Sequence, residues 1–111
     1  MSGCLFCKIA TKEIPSELVD EADDWVAFRD INPQAPTHIL IIPRKHFSTV
    51  NEIDGGSAGM LVEAAKKIAM AEWLAEAGYR LVFNCQADAG QTVFHVHLHL
   101  LGGRSFRWPP G

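Results

Sequence analysis

Val93-Phe94-His95-Val96-His97-Leu98-His99-Leu100-Leu101 is the stretch that decides how this chain folds and what it does. Side chains alternate faces along a strand. A strand over Val93 to Leu101 therefore puts His95, His97 and His99 on one face, about 7 Å apart. Val96, Leu98 and Leu100 fall on the other face, which suits packing under a helix. Three adjacent imidazoles cannot be buried cheaply without polar partners, so the histidine face must look onto something polar. Two chemistries compete for it. Imidazole is a common zinc ligand, but the chain holds no acidic residue from Ala89 onward to complete a hydrolytic metal site. Neutral imidazole is also a nucleophile near neutral pH, and flanking imidazoles can hold its tautomer, bind phosphate oxygens and move protons. Gly90-Gln91-Thr92, just upstream, adds backbone N–H groups and a hydroxyl suited to phosphate oxygens. Attack on phosphorus is the favoured reading.

Outward from this strand, Tyr79 to Asn84 reads as a second strand, with the polar loop Gln86 to Thr92 between them. Gly78 precedes it as a helix stop. Ala58 to Ala77 is rich in helix formers, and Leu61, Ala64, Ala65, Ile68, Ala71 and Ala75 are expected on one face. Ser57 is its expected cap. Met70 and Trp73 sit off that stripe, free to serve a partner subunit or the core. His38 to Ile42 is a continuous apolar run, as in a strand buried on both faces and ended by Pro43. Ser16 to Glu21 and Trp25 to Asp30 read as two strands joined by a tight turn at Ala22-Asp23-Asp24. Ile31 to Pro36 is a loop. Lys8 to Ile14 reads as a short helix stopped by Pro15. The expected class is α+β: a mostly antiparallel five-stranded sheet with one long helix and a short N-terminal one.

A chain of 111 residues is one ordinary domain, 1–111, large enough to bury a core. Its 48% hydrophobic and 21% charged residues fit a soluble globule. A net charge of −3 argues against a broad nucleic-acid face. No apolar run approaches the roughly 20 residues of a membrane span. Met1-Ser2-Gly3-Cys4 does not open a secretion signal, so the cytoplasm is the default compartment. Three cysteines, Cys4, Cys7 and Cys85, do not make a disulfide framework.

His95-Val96-His97-Leu98-His99-Leu100-Leu101 resembles the alternating histidine signature of the histidine triad (HIT) superfamily. Phe28 to His38 resembles that family's nucleoside-binding segment. Gly102-Gly103-Arg104 and the terminal Trp108-Pro109-Pro110-Gly111 are similar to its nucleotide-binding Hint branch. The resemblance covers nearly the whole chain. It implies a HIT-like fold, a two-fold homodimer, and a purine nucleoside phosphoramidase of the adenosine 5′-monophosphoramidase type that needs no cofactor. It implies that His97 attacks the α-phosphorus, expels an amine and forms a nucleotidyl-histidine, which water then opens to release AMP. The acceptor for the other ring nitrogen of His97 is expected to be a backbone carbonyl near His95. His99 and Thr92 would hold phosphate oxygens, with Asn84 and Gln91 adding donors. His38 would reach back to His95 in a proton relay. Asp30 would clamp the ribose hydroxyls. Leu5, Phe6, Ile9, Phe28 and Ile31 would form a slot that accepts either purine, although core packing explains them about as well. Trp108 would come from the partner subunit. Thr92 stands where many relatives have Ser, and Phe94 where Tyr is common.

Cys4-Leu5-Phe6-Cys7 is a distinct variation. Some HIT proteins with such a pair hold zinc, which here implies Cys4, Cys7, His46 and His95 as a tetrahedral set. Reduced cysteines beside the nucleotide slot are the alternative. Two other functions stay open on sequence: hydrolysis of dinucleoside polyphosphates or adenylylates by the same histidines, and a non-enzymatic role in nucleotide or zinc binding. The terminal WPPG argues against the first of these.

Overall fold

A computed structural model describes residues 3–111. Met1 and Ser2, the first two positions of the expected single domain, lie outside the described residues. The chain runs α1 (Leu5–Ala10), β1 (Leu18–Glu21), β2 (Trp25–Arg29), β3 (Thr37–Pro43), α2 (Gly55–Ala71), β4 (Tyr79–Phe83), a 3-10 turn at Ala87–Ala89, and β5 (Leu98–Gly102). The five strands form one sheet in the order β1-β2-β3-β5-β4, and every neighbouring pair is antiparallel. No helix among the described residues is long and apolar enough to cross a membrane.

β3 is the centre of the sheet and is buried on both faces, as its unbroken apolar run predicts. Ile39 and Ile41 point to the α2 side, where Leu61, Ala64, Ala65 and Ile68 of the helix meet Val96, Leu98 and Leu100. Leu40 and Ile42 point the other way and pack with Phe6, Ile9 and Ala10 of α1 and with Val26 and Phe28 of β2. Each such isoleucine or leucine is worth about 1.5–3 kcal/mol over its exposed state. The small residues of α2 let the helix lie close to the sheet. The shorter α1 covers the opposite face, and that is the histidine face.

Several boundaries differ from the sequence reading, each for a local reason. α1 starts at Leu5 rather than Lys8 because Cys4 caps it, its sulfur accepting from the Cys7 N–H. It ends before Lys12, whose φ of 64° turns the chain and lets the N–H groups of Glu13 and Ile14 return to the Lys8 carbonyl. α2 is capped by Asp54, whose carboxylate accepts from the Ser57 N–H and hydroxyl, so Ser57 lies inside the first turn. It stops at Ala71 because Trp73 takes a φ of 63°. Ala71 and Ala75 are consequently exposed, outside the expected face. Gly78, with φ 108°, turns the chain into β4 instead of ending a helix. β5 begins at Leu98, not Val93. Before it, the Val96 N–H bonds to the Phe47 carbonyl at 2.8 Å, so His95 and His97 stand on an irregular segment ahead of the ladder, which bends over Val93 to His95. β1 and β2 are also shorter than expected, starting at Leu18 and ending at Arg29.

The chain leaves β5 through Gly103, at φ 90°. A Cβ there would sit 2.9 Å from the Pro36 Cβ, and a proline ring cannot rotate aside. Gly103→Ala is therefore expected to cost about 1–3 kcal/mol of stability. A urea midpoint matching that of the parent protein would refute this packing.

Candidate active site

Backbone groups fix the tautomer of three histidines in turn. His97 Nδ1 lies 2.8 Å from the carbonyl of His95. A carbonyl only accepts, so Nδ1 carries the proton and Nε2 keeps the lone pair. His95 Nε2 lies 2.7 Å from the Pro43 carbonyl and must donate to it, which leaves Nδ1 of His95 unprotonated. The Gln34 N–H donates to His38 Nδ1 at 3.0 Å, so neutral His38 carries its proton on Nε2. That Nε2–H donates to His99 Nδ1 at 2.9 Å, with the Asp30 carboxylate 3.4 Å away. His99 then carries its own proton on Nε2. This nitrogen is buried and is the one buried side-chain polar atom without a partner among the described residues. The chain from Gln34 through His38 thus ends in a donor that awaits an acceptor.

Burial keeps these rings neutral. Desolvation pushes His97 below the ordinary imidazole value, opposed by its bond to the His95 carbonyl and by the Asp30 charge. Burial likewise pushes His95 and His38 down. His99 falls to about 4, first through burial, then through the neighbouring charges of His97 and His38. The rings also pack together: His97 lies 5.0 Å from His99 and 5.1 Å from Phe6, centroid to centroid, with the Phe6 pair edge-to-face. What results is a neutral nucleophilic nitrogen with a hydrogen-bond donor on the next imidazole.

On the far side of His95, Nδ1 faces a second cluster. It lies 3.4 Å from the Cys4 sulfur, 3.5 Å from the Cys7 sulfur and 3.2 Å from His46 Nδ1, and Cys7 lies 3.4 Å from His46 Nδ1. All four ligand atoms lie within 4.8 Å of one another. Around tetrahedral zinc, with bonds of about 2.3 Å to sulfur and about 2.05 Å to nitrogen, the N–N edge is about 3.3 Å and the N–S edge about 3.6 Å. The observed edges match. Asp30, His38 and His99 also converge. There the Gln34 N–H makes His38 Nε2 a donor, and a donor nitrogen has no lone pair for a metal.

The HIT domain family matches residues 11–106. The chain belongs to the HIT family. It is 50% identical over 103 residues to the purine nucleoside phosphoramidase of Escherichia coli K12, covering 90% of this chain and 87% of that one. A HIT family hydrolase from Legionella pneumophila superimposes with a TM-score of 0.94 at 55% identity, covering 98% of this chain and 100% of that one. A histidine triad protein from Clostridium difficile gives 0.92 at 39% identity, covering 96% of each chain.

The HIT fold gathers most of the expected site residues and redirects two. His38 pairs with His99 rather than reaching back to His95, because its place in β3 is opposite Leu101, beside the last triad histidine. Gln91 is buried with its amide engaged: Oε1 accepts from the Gln86 N–H, and Nε2 donates to the Ser48 and Val93 carbonyls. It clamps the loop before the histidines and has no free group for phosphate. Asp30 follows β2, and its Oδ1 accepts from the Asn32 N–H. Phe6, Ile9 and Phe28 are buried on the histidine face, while Leu5 is 45% and Ile31 fully exposed. Asn84 follows Phe83, which pairs with Leu98, so it comes level with His97. Thr92 is exposed beside Cys4 and Phe94, and Trp108 is exposed on the tail. The groups that sequence reading missed are the Gln34 N–H and the Pro43 carbonyl. Being main-chain groups, they leave no side-chain signal.

Since His38 and His99 titrate lower in the folded chain than when unfolded, the unfolded chain binds protons first as pH falls. Stability is therefore full above about pH 6.5 and declines toward about pH 4. Denaturant melts at about pH 7.5 and about pH 5 measure this, and His99→Gln flattens the decline. Equal stability at the two values would contradict the assigned neutral rings.

Proposed function

We propose that this HIT protein hydrolyses purine nucleoside phosphoramidates through a nucleotidyl-histidine intermediate and releases the nucleoside monophosphate. The observation that carries the reading is the 2.8 Å contact between His97 Nδ1 and the His95 carbonyl, which leaves Nε2 as the nucleophile. The similarity to a purine nucleoside phosphoramidase supports it. His97 Nε2 attacks the α-phosphorus, the P–N bond breaks, and the departing nitrogen takes a proton from water and leaves as the amine. The resulting positive charge on the nucleotidylated imidazole is stabilised through Nδ1–H by the same carbonyl. Water then cleaves the P–Nε2 bond. The unpartnered Nε2–H of His99 is the donor for a non-bridging phosphate oxygen, joined by the Thr92 hydroxyl and by Asn84. Asp30 keeps acceptor lone pairs for the ribose hydroxyls. Phe6, Ile9 and Phe28 wall the purine slot, with Leu5 and Ile31 at its rim. An apolar slot discriminates weakly between adenine and guanine. In the dimer, the partner copy brings a Trp108 toward the leaving group.

Purified protein is expected to release AMP from adenosine 5′-phosphoramidate, and His97→Ala to lower the rate by at least about 10³-fold. A variant that keeps its rate would sink the nucleophile assignment. Faster turnover of a dinucleoside polyphosphate than of the phosphoramidate would replace the substrate class.

A second reading has its own support. Cys4, Cys7, His46 and His95 fit zinc by their edge lengths and by the bond from His95 Nε2–H to Pro43, which aims the other ring nitrogen at the cluster. Four protein ligands close the coordination sphere, so the metal would tie α1 to the triad segment and do no chemistry. We also place the two-fold dimer at the β4 edge of the sheet, next to the exposed Met70 and Trp73. Untagged protein is expected to carry one zinc per chain by elemental analysis and to sediment with the mass of two chains. Metal-free protein with intact fold, or a monomeric mass, would count against the respective reading.

A further inference from the structure

The Cys4 and Cys7 sulfurs lie within 4.8 Å of each other, one helical turn apart, and both cysteines are unpaired. A disulfide needs the sulfurs to close to about 2.05 Å, which rotation of two side chains at i and i+3 can reach. Cys4 is the cap residue and has non-helical backbone angles, φ −82° and ψ 119°, so it is not bound to helical geometry. Both cysteines are half-buried. Cys4 lines an open cavity of about 300 Å³ with Gly3, Leu5, Thr92, Val93 and Phe94, whereas Cys7 is absent from that lining. Both sulfurs contact His95 Nδ1, and Cys7 also contacts His46.

We propose that Cys4 and Cys7 are a reversible redox-modification site for small disulfides, and that its state is transmitted to the nucleophile. The Cys4 thiolate attacks one sulfur of the small disulfide and expels the first thiolate. The Cys7 thiolate then attacks the Cys4 sulfur of the mixed disulfide and expels the second. Two cysteine thiolates are oxidised and one small disulfide is reduced to two thiolates. A zinc ion held by the pair leaves as the free cation, so charge balances. Transmission runs along two short paths. Phe6 stands between the cysteines on α1 and makes an edge-to-face contact with His97, 5.1 Å between centroids. His95 faces both sulfurs with Nδ1 and holds His97 Nδ1–H with its carbonyl. The proposal deepens the zinc reading above without depending on nucleotide turnover.

The test uses full-length protein carrying Cys85→Ser, so that only the pair can react, exposed to oxidised glutathione. Intact mass is expected to fall by two hydrogens with Cys4 and Cys7 linked in one peptide, any bound zinc to pass to a chromogenic chelator, and a dithiol to reverse both. Histidine-labelled NMR is expected to show the His97 Nδ1–H resonance shifting or exchanging away on oxidation, a readout that needs no substrate. AMP release should fall about tenfold or more, since small displacements of a reacting group are costly. Formation of the disulfide in protein that never held zinc supports the redox site and removes only the zinc reading. Thiols that persist, or a stable glutathione adduct, overturn the site. A disulfide that leaves the His97 resonance unchanged overturns the transmission.

Discussion

The site depends on one hydrogen bond: His97 Nδ1–H to the carbonyl of the residue two places earlier. It fixes where the proton of the central imidazole sits, and so which nitrogen is free to react. The bond forms where the segment before β5 bends and is not laddered to a neighbouring strand. At Val96 the backbone pairs with the Phe47 loop instead, and the His95 carbonyl is left to accept from a side chain. Had β5 started at Val93, that carbonyl would be a candidate for the ladder. The late start of β5 thus accompanies the bond that sets the His97 tautomer.

His95 serves two clusters with different atoms, which removes an apparent competition. Its ring faces the cysteines and His46, and its carbonyl holds His97. A role in a metal set and a role in positioning the nucleophile are compatible because neither atom is shared. The two clusters therefore meet in one residue. Phe6, wedged against both His95 and His97, reinforces the link.

The sequence carried the fold through β3 and α2. The double-sided burial of Ile39 to Ile42 holds in the sheet, and the apolar alternation of Val96, Leu98 and Leu100 holds in the core beneath α2. Period-2 alternation also placed His95, His97 and His99 on one face, although two of them stand outside the strand. Helix ends were less legible. Lys12 and Trp73 adopt left-handed angles that bulky residues seldom take, so composition gave no warning of them. Side-chain roles that depend on neighbours far along the chain were legible only in part. His38 was expected to act with the wrong histidine because register, not residue type, decides its partner. Gln91 has the right chemistry for phosphate, but the loop consumes it.

The donor that starts the His38–His99 chain is the peptide N–H of residue 34. Almost any side chain can be exchanged at that exposed position without disturbing the proton order two rings away. Proline is the exception, because it alone lacks the N–H. Gln34→Pro would then act first by removing the N–H that orders the protons, not by removing a side chain.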